Sequence, residues 1–78
     1  MNNDKERFQK AQGEAFRTAR KNAKLTQAQV VKALDKSVMW LSDLENGKTA
    51  IMMYDAFRLC ELYGIDFNVL KGMIDDRM

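Results

Sequence analysis

Proline and histidine are both missing from this chain of 78 residues, and Cys60 is its single cysteine. One thiol rules out an internal disulfide. Without histidine, a zinc site would need one thiolate plus carboxylates, an improbable ligand set. Neither a phosphate-binding loop nor a convergent carboxylate pair is present, so no enzymatic activity and no cofactor are expected. No apolar run approaches the roughly 20 residues of a membrane span. The opening "MNNDKERFQK" lacks the apolar centre of a signal peptide, so a cytoplasmic location and no membrane partner are the expectation.

What the chain does contain suits one small domain with one modest core. Hydrophobic residues make up 46% and charged residues 31%, a balance typical of a folded globule rather than a disordered tail. Net charge is only +2, but it is unevenly placed. Residues 1–36 carry nine Lys/Arg against four acids, and residues 37–78 carry four against seven. One basic half and one acidic half suggest an oriented contact with a polyanion, although ordinary domains often show such a split.

No segment alternates with period two for long, so the chain reads as all-helical. A first helix starts after Asn3 or Asp4 and runs to about Asn22, with Phe8, Ala11, Ala15, Phe16, Ala19 and Ala23 as its apolar stripe. Gly13 interrupts it, which marks residues 1–14 as a loosely held extension. Thr26-Gln27-Ala28-Gln29 is a capping box, flanked by Leu25 and Val30 as a hydrophobic staple. The second helix ends near Leu34, Asp35 and Lys36 form the turn, and Ser37 caps a third helix that Gly47 closes. A fourth runs from about Met52 to Tyr63 and stops at Gly64. Asp66 caps a fifth, and residues 73–78 read as a tail, frayed or used in association. On the fourth helix Cys60 is expected to be buried, with Met53 also in the core and Met52 exposed. Met52, Phe67, Leu70, Met73 and Ile74 are candidates for a homodimer seam, although Phe67 and Leu70 fit the core better.

The stretch "SVMWLSDLENGK" sets apolar Val38, Met39 and Trp40 at the amino end of the third helix, where a short surface helix meets water. Together, "LTQAQVVKALDKSVMWLSDLENGK" and "FRLCELYGIDFNVL" resemble the Cro/CI (Xre-type) helix-turn-helix domain of phage repressors and their bacterial relatives. The resemblance covers roughly residues 15–70. It implies a compact five-helix, lambda-repressor-like DNA-binding domain over residues 15–72. It further implies a transcriptional regulator, most simply a repressor, that binds a palindromic double-stranded DNA operator as a homodimer.

By position, the resemblance makes helix 37–45 the recognition helix, with Ser37, Val38, Met39, Ser42 and Asp43 facing base edges. It sets Thr26, Gln27, Trp40, Asn46, Lys48 and Thr49 against phosphates, and pairs Arg20 with Glu45 as a structural salt bridge. Apolar Val38 and Met39 suit a thymine methyl group, and Asp43 can accept from cytosine N4. The chain departs from the family pattern at Val31, Asp35 and Lys36, where a small residue, a glycine and a buried aliphatic are usual. It also departs in the loop after Lys48, which lacks the usual proline and further cations. A competing reading keeps the fold but makes it a protein-interaction module, such as an antitoxin or a phage protein that binds a host protein. The exposed apolar helix end, Asp43 and the acidic second half favour that reading.

Overall fold

The computed structural model describes residues 2–78, with side chains from Asp4 onward. Its helices are α1 (Asn2–Asn22), α2 (Gln27–Leu34), α3 (Val38–Glu45), α4 (Met53–Tyr63) and α5 (Phe67–Asp76), and no strand occurs among the described residues. The molecule is an all-α bundle. Three residues separate α2 from α3, which makes the pair a helix-turn-helix unit.

Most helix starts have a side chain to explain them. The Thr26 hydroxyl accepts from the Gln29 amide N–H at 3.1 Å, and the Gln29 Oε1 accepts from the Thr26 N–H at 2.9 Å. This reciprocal pair satisfies two N–H groups that α2 itself leaves open. Ser37 Oγ does the same for the Trp40 N–H at 3.0 Å, and Asp66 Oδ1 for the Val69 N–H at 2.8 Å. Met52, ahead of α4, makes no such bond.

The stops of α1 to α4 are left-handed residues. Gly47, at φ 75, lets the Lys48 N–H turn back to the Asp43 carbonyl at 2.9 Å. Asp35 fills the corresponding place after α2 at φ 57, and the Lys36 N–H reaches the Val31 carbonyl at 2.9 Å. Aspartate is among the few side chains that tolerate this geometry. Lys24 ends α1 in the same way at φ 61, a stop that no turn-forming residue announces.

Helix α1 is the spine, packed against α3, α4 and α5, while α2 leans on α3. Its inward face is mostly alanine (Ala11, Ala15, Ala19) around the enclosed Phe16, so neighbouring helices approach closely. Leu41, Leu44, Leu59 and Val30 are the other fully enclosed large side chains.

Several expectations are corrected here. α1 begins at Asn2, so Asn3 and Asp4 lie in its first turn rather than capping it. Gly13 does not interrupt the helix. It is the point where α1 meets the end of α3, and a Cβ there would stand 2.8 Å from the Glu45 carbonyl oxygen. Residues 2–12 are thus continuous with a packed helix, although Phe8 faces outward. Met53 is exposed, not core, and Phe57 is half-exposed. The buried stripe of α4 runs through Ala56, Leu59, Cys60 and Tyr63, which turns residues 53 and 57 aside. At the other end, α5 continues to Asp76 with Leu70 and Ile74 buried, so the tail is neither frayed nor free for a seam at those positions.

Candidate nucleic-acid interface

The amino end of α3 points outward. Val38 is 47% and Met39 68% exposed, Ser37 is exposed, and Ser42 and Asp43 are half-buried. Val38, Met39, Ser42 and Asp43 are thus wholly or partly accessible along α3, with Ser37 at its cap, while Leu41 and Leu44 are buried in the core.

The carboxyl end of α3 is fixed by Glu45, whose side chain is wholly enclosed. Arg20 donates to it twice, from Nε to Oε2 at 2.7 Å and from Nη2 to Oε1 at 3.0 Å. The Arg20 Nη1 also donates to the Leu25 carbonyl, in the connection between α1 and α2, at 3.0 Å. Gln27 Nε2 adds a third donor to Glu45 Oε1 at 3.0 Å. A buried carboxylate is tolerable only with such pairing. One carboxylate thereby ties α1, the first turn of α2 and the end of α3 together. The hydrogen bond to Glu45 holds the Arg20 guanidinium charged, above its ordinary range.

Among the positions assigned to phosphate, Thr26, Asn46 and Lys48 are exposed, and Gln27 and Thr49 are half-buried. Gln27 spends one amide hydrogen on Glu45 and keeps the other. Asn46 Nδ2 donates to Ser42 Oγ at 3.3 Å, and the Thr49 hydroxyl donates to the Ala50 carbonyl at 3.2 Å. Trp40 packs half-buried against the core with the Lys36 ammonium 5.1 Å from its ring centre. Lys36, where an aliphatic is usual, instead stays in solvent and pairs with the buried Asp55 at 3.4 Å.

Sequence reasoning missed Arg17. Its Nη2 donates to Asn46 Oδ1 at 3.0 Å, and its Nε lies 3.7 Å from Glu45 Oε1. The side chain remains 44% exposed, with most of its five N–H donors uncommitted. Lys10 is a second basic neighbour, since α1 presses on Gly47 closely enough that a Cβ there would lie 2.8 Å from the Lys10 Cα. The basic character of α1 was the available signal, but sequence gives no direction to a lone cation on a helix.

A capped, outward-facing helix braced by a short second helix across a three-residue turn defines a helix-turn-helix protein. A family model described as a helix-turn-helix domain matches residues 12–69, and the chain belongs to that family. No similar curated protein and no similar solved structure was found. None of the helices among the described residues is long and apolar enough to cross a membrane.

Proposed function

We propose that the chain is a sequence-specific double-stranded DNA-binding transcriptional regulator of the Cro/CI (Xre) type, most simply a repressor that binds a palindromic operator as a homodimer. The outward amino end of α3, on a helix whose other end is locked by Glu45, carries this reading. Ser37, Val38, Met39, Ser42 and Asp43 enter the major groove. There Val38 and Met39 meet thymine methyl groups, and Asp43 accepts from cytosine N4 while disfavouring bases that offer only acceptors. Thr26, Gln27, Trp40, Asn46, Lys48 and Thr49, with Arg17 added, hold the phosphates that set the register. The reading is non-enzymatic and calls for no cofactor.

Selection from random duplexes, followed by gel-shift titration against salt, tests it. The expected outcome is an enriched operator whose binding weakens with salt, and Val38→Ala or Met39→Ala changes the preferred sequence. Lys48→Ala weakens all sites alike. If no duplex bound in a salt-sensitive way, and the chain retained one protein partner independently of DNA, the interaction module would replace the regulator.

A further inference from the structure

We infer that a basic cleft between the first half of α1 and the end of α5, lined by Arg7, Lys10 and Arg77, holds a phosphodiester of the duplex DNA that flanks the half-site. It rests on the DNA reading above and extends the contact to residues outside the matched stretch 12–69.

Two arginines build the cleft by each reaching across to the other's helix. Arg7 Nη2 donates to the Met78 main-chain oxygen at 2.7 Å, and Arg77 Nη2 donates to the Thr18 hydroxyl at 2.9 Å. Arg77 Nη1 also donates to the Met73 carbonyl at 2.9 Å. A guanidinium has five N–H donors, so these bonds orient both forks and leave most of their donors uncommitted. Lys10 is exposed and makes no ion pair among the described residues. Glu14 also lines the cleft, and Asp4 lies 3.8 Å from Arg7. The cations still outnumber these two exposed acids.

Size and lining select a phosphate group. The space is about 270 Å³, below the roughly 300–1,000 Å³ of small-molecule sites. Ala11 is its one apolar lining residue, so a base or ring would find no shelter there.

Position selects DNA as the source of that phosphate. Arg7, Lys10, Glu14 and Arg17 recur at steps of three and four residues, and so share one face of α1. On that face Arg17 donates to Asn46 Oδ1 at 3.0 Å, and Lys10 backs onto Gly47, where an added Cβ would lie 2.8 Å from the Lys10 Cα. A line of cations, interrupted by Glu14, thus leads from the loop after α3 to the cleft. Arg7 and Arg17 are about 15 Å apart along the helix, at 1.5 Å per residue. A DNA strand advances about four to five phosphates over that length. A free anion needs no such track.

Anisotropy titrations with the selected operator in two lengths test the site. One duplex ends at the last selected base pair, and the other continues for about five more on each side with arbitrary sequence. Wild type should bind the longer duplex about threefold tighter or more, whatever the added sequence, with a salt slope steeper by about 0.9 per extra phosphate contact. Lys10→Gln and Arg7→Gln should each lower the slope on the longer duplex by about 0.9 and cut its advantage. Affinity for the shorter duplex and helicity should not change. A wild type with no length advantage overturns the proposal, as do variants that keep the full advantage. Equal losses on both duplexes overturn it too, by placing these cations inside the half-site. If the length advantage is absent, yet inorganic phosphate at constant ionic strength raises the melting temperature of wild type and not of Lys10→Gln, a free phosphorylated ligand replaces DNA. Failure of the regulator reading looks different, because then no duplex binds at either length.

Discussion

Arg20 and Glu45 meet as a fork, with Nε on Oε2 at 2.7 Å and Nη2 on Oε1 at 3.0 Å, across 25 positions of sequence. Removing one arm strands a charge in the core. Arg20→Ala should cost about 3–5 kcal/mol, most of the stability of a domain this small. The double variant Arg20→Met with Glu45→Leu should melt above the single variant. Thermal denaturation of wild type, Arg20→Met, Glu45→Leu and the double variant decides it, and additive losses would show that the two residues act independently.

Gly13 and Gly72 make a matched pair for the packing of α1. An added Cβ at Gly13 meets the carbonyl oxygens of Leu44 and Glu45, whereas at Gly72 nothing lies within 4 Å. Gly13→Ala should destabilise by about 1–3 kcal/mol through forced separation of α1 and α3, despite the better helix propensity of alanine. Gly72→Ala should gain about 0.5–1 kcal/mol. Urea unfolding midpoints measure both, and equal shifts in the two variants would contradict the close approach at Gly13.

Tyr63 has a buried hydroxyl with no hydrogen-bond partner. Burial, reinforced by the Glu45 charge and opposed by Arg20, pushes its phenol well above the ordinary 10.0. Burial, helped by Asp66, also raises the Cys60 thiol above 9.0. The folded chain therefore keeps both protons at a pH where the unfolded chain releases them. Stability is full below about pH 9 and falls as pH rises through 9.0 and then 10.0. Tyr63→Phe should be neutral or gain up to about 1 kcal/mol at pH 7, and it should flatten the decline above pH 10. Melting temperatures between pH 8 and 11 test this, and an unchanged alkaline slope in the variant would refute it.

Arg17 separates a DNA contact from a structural one. Its half-exposed pairing with Glu45 and Asn46 should contribute only about 0–1 kcal/mol to stability. Binding is where Arg17→Ala should show. Affinity should fall on every duplex, and the salt slope should become shallower by about 0.9, the signature of one lost phosphate contact. Anisotropy titrations at several salt concentrations read both quantities. An unchanged slope with a lowered melting point would make Arg17 a brace for α3 instead.

Local chemistry made the fold legible. Thr26, Ser37 and Asp66 cap their helices because a short side-chain oxygen can satisfy an amide within its own turn, and that relation is written in consecutive residues. Left-handed Asp35 and Gly47 are legible for the same reason. Gly13 was misread because a glycine inside a helical pattern looks like a break, and only the approach of a helix thirty positions away reveals it as a contact. Met53 was misread because the α4 stripe is short: Met53 and Phe57, four apart, share a flank that lies beside the covered line of Ala56, Leu59, Cys60 and Tyr63. In the candidate interface, the family pattern placed Arg20 and Glu45, whereas Arg17 required knowing which way α1 faces.

The outward seating of Val38 and Met39 leaves both side chains free of any duty inside the fold. Descendants of this chain can exchange them without first acquiring a compensating change elsewhere. If these two side chains read the operator as proposed, address and architecture are inherited separately, and a new target can be acquired by altering two codons while the scaffold stands still.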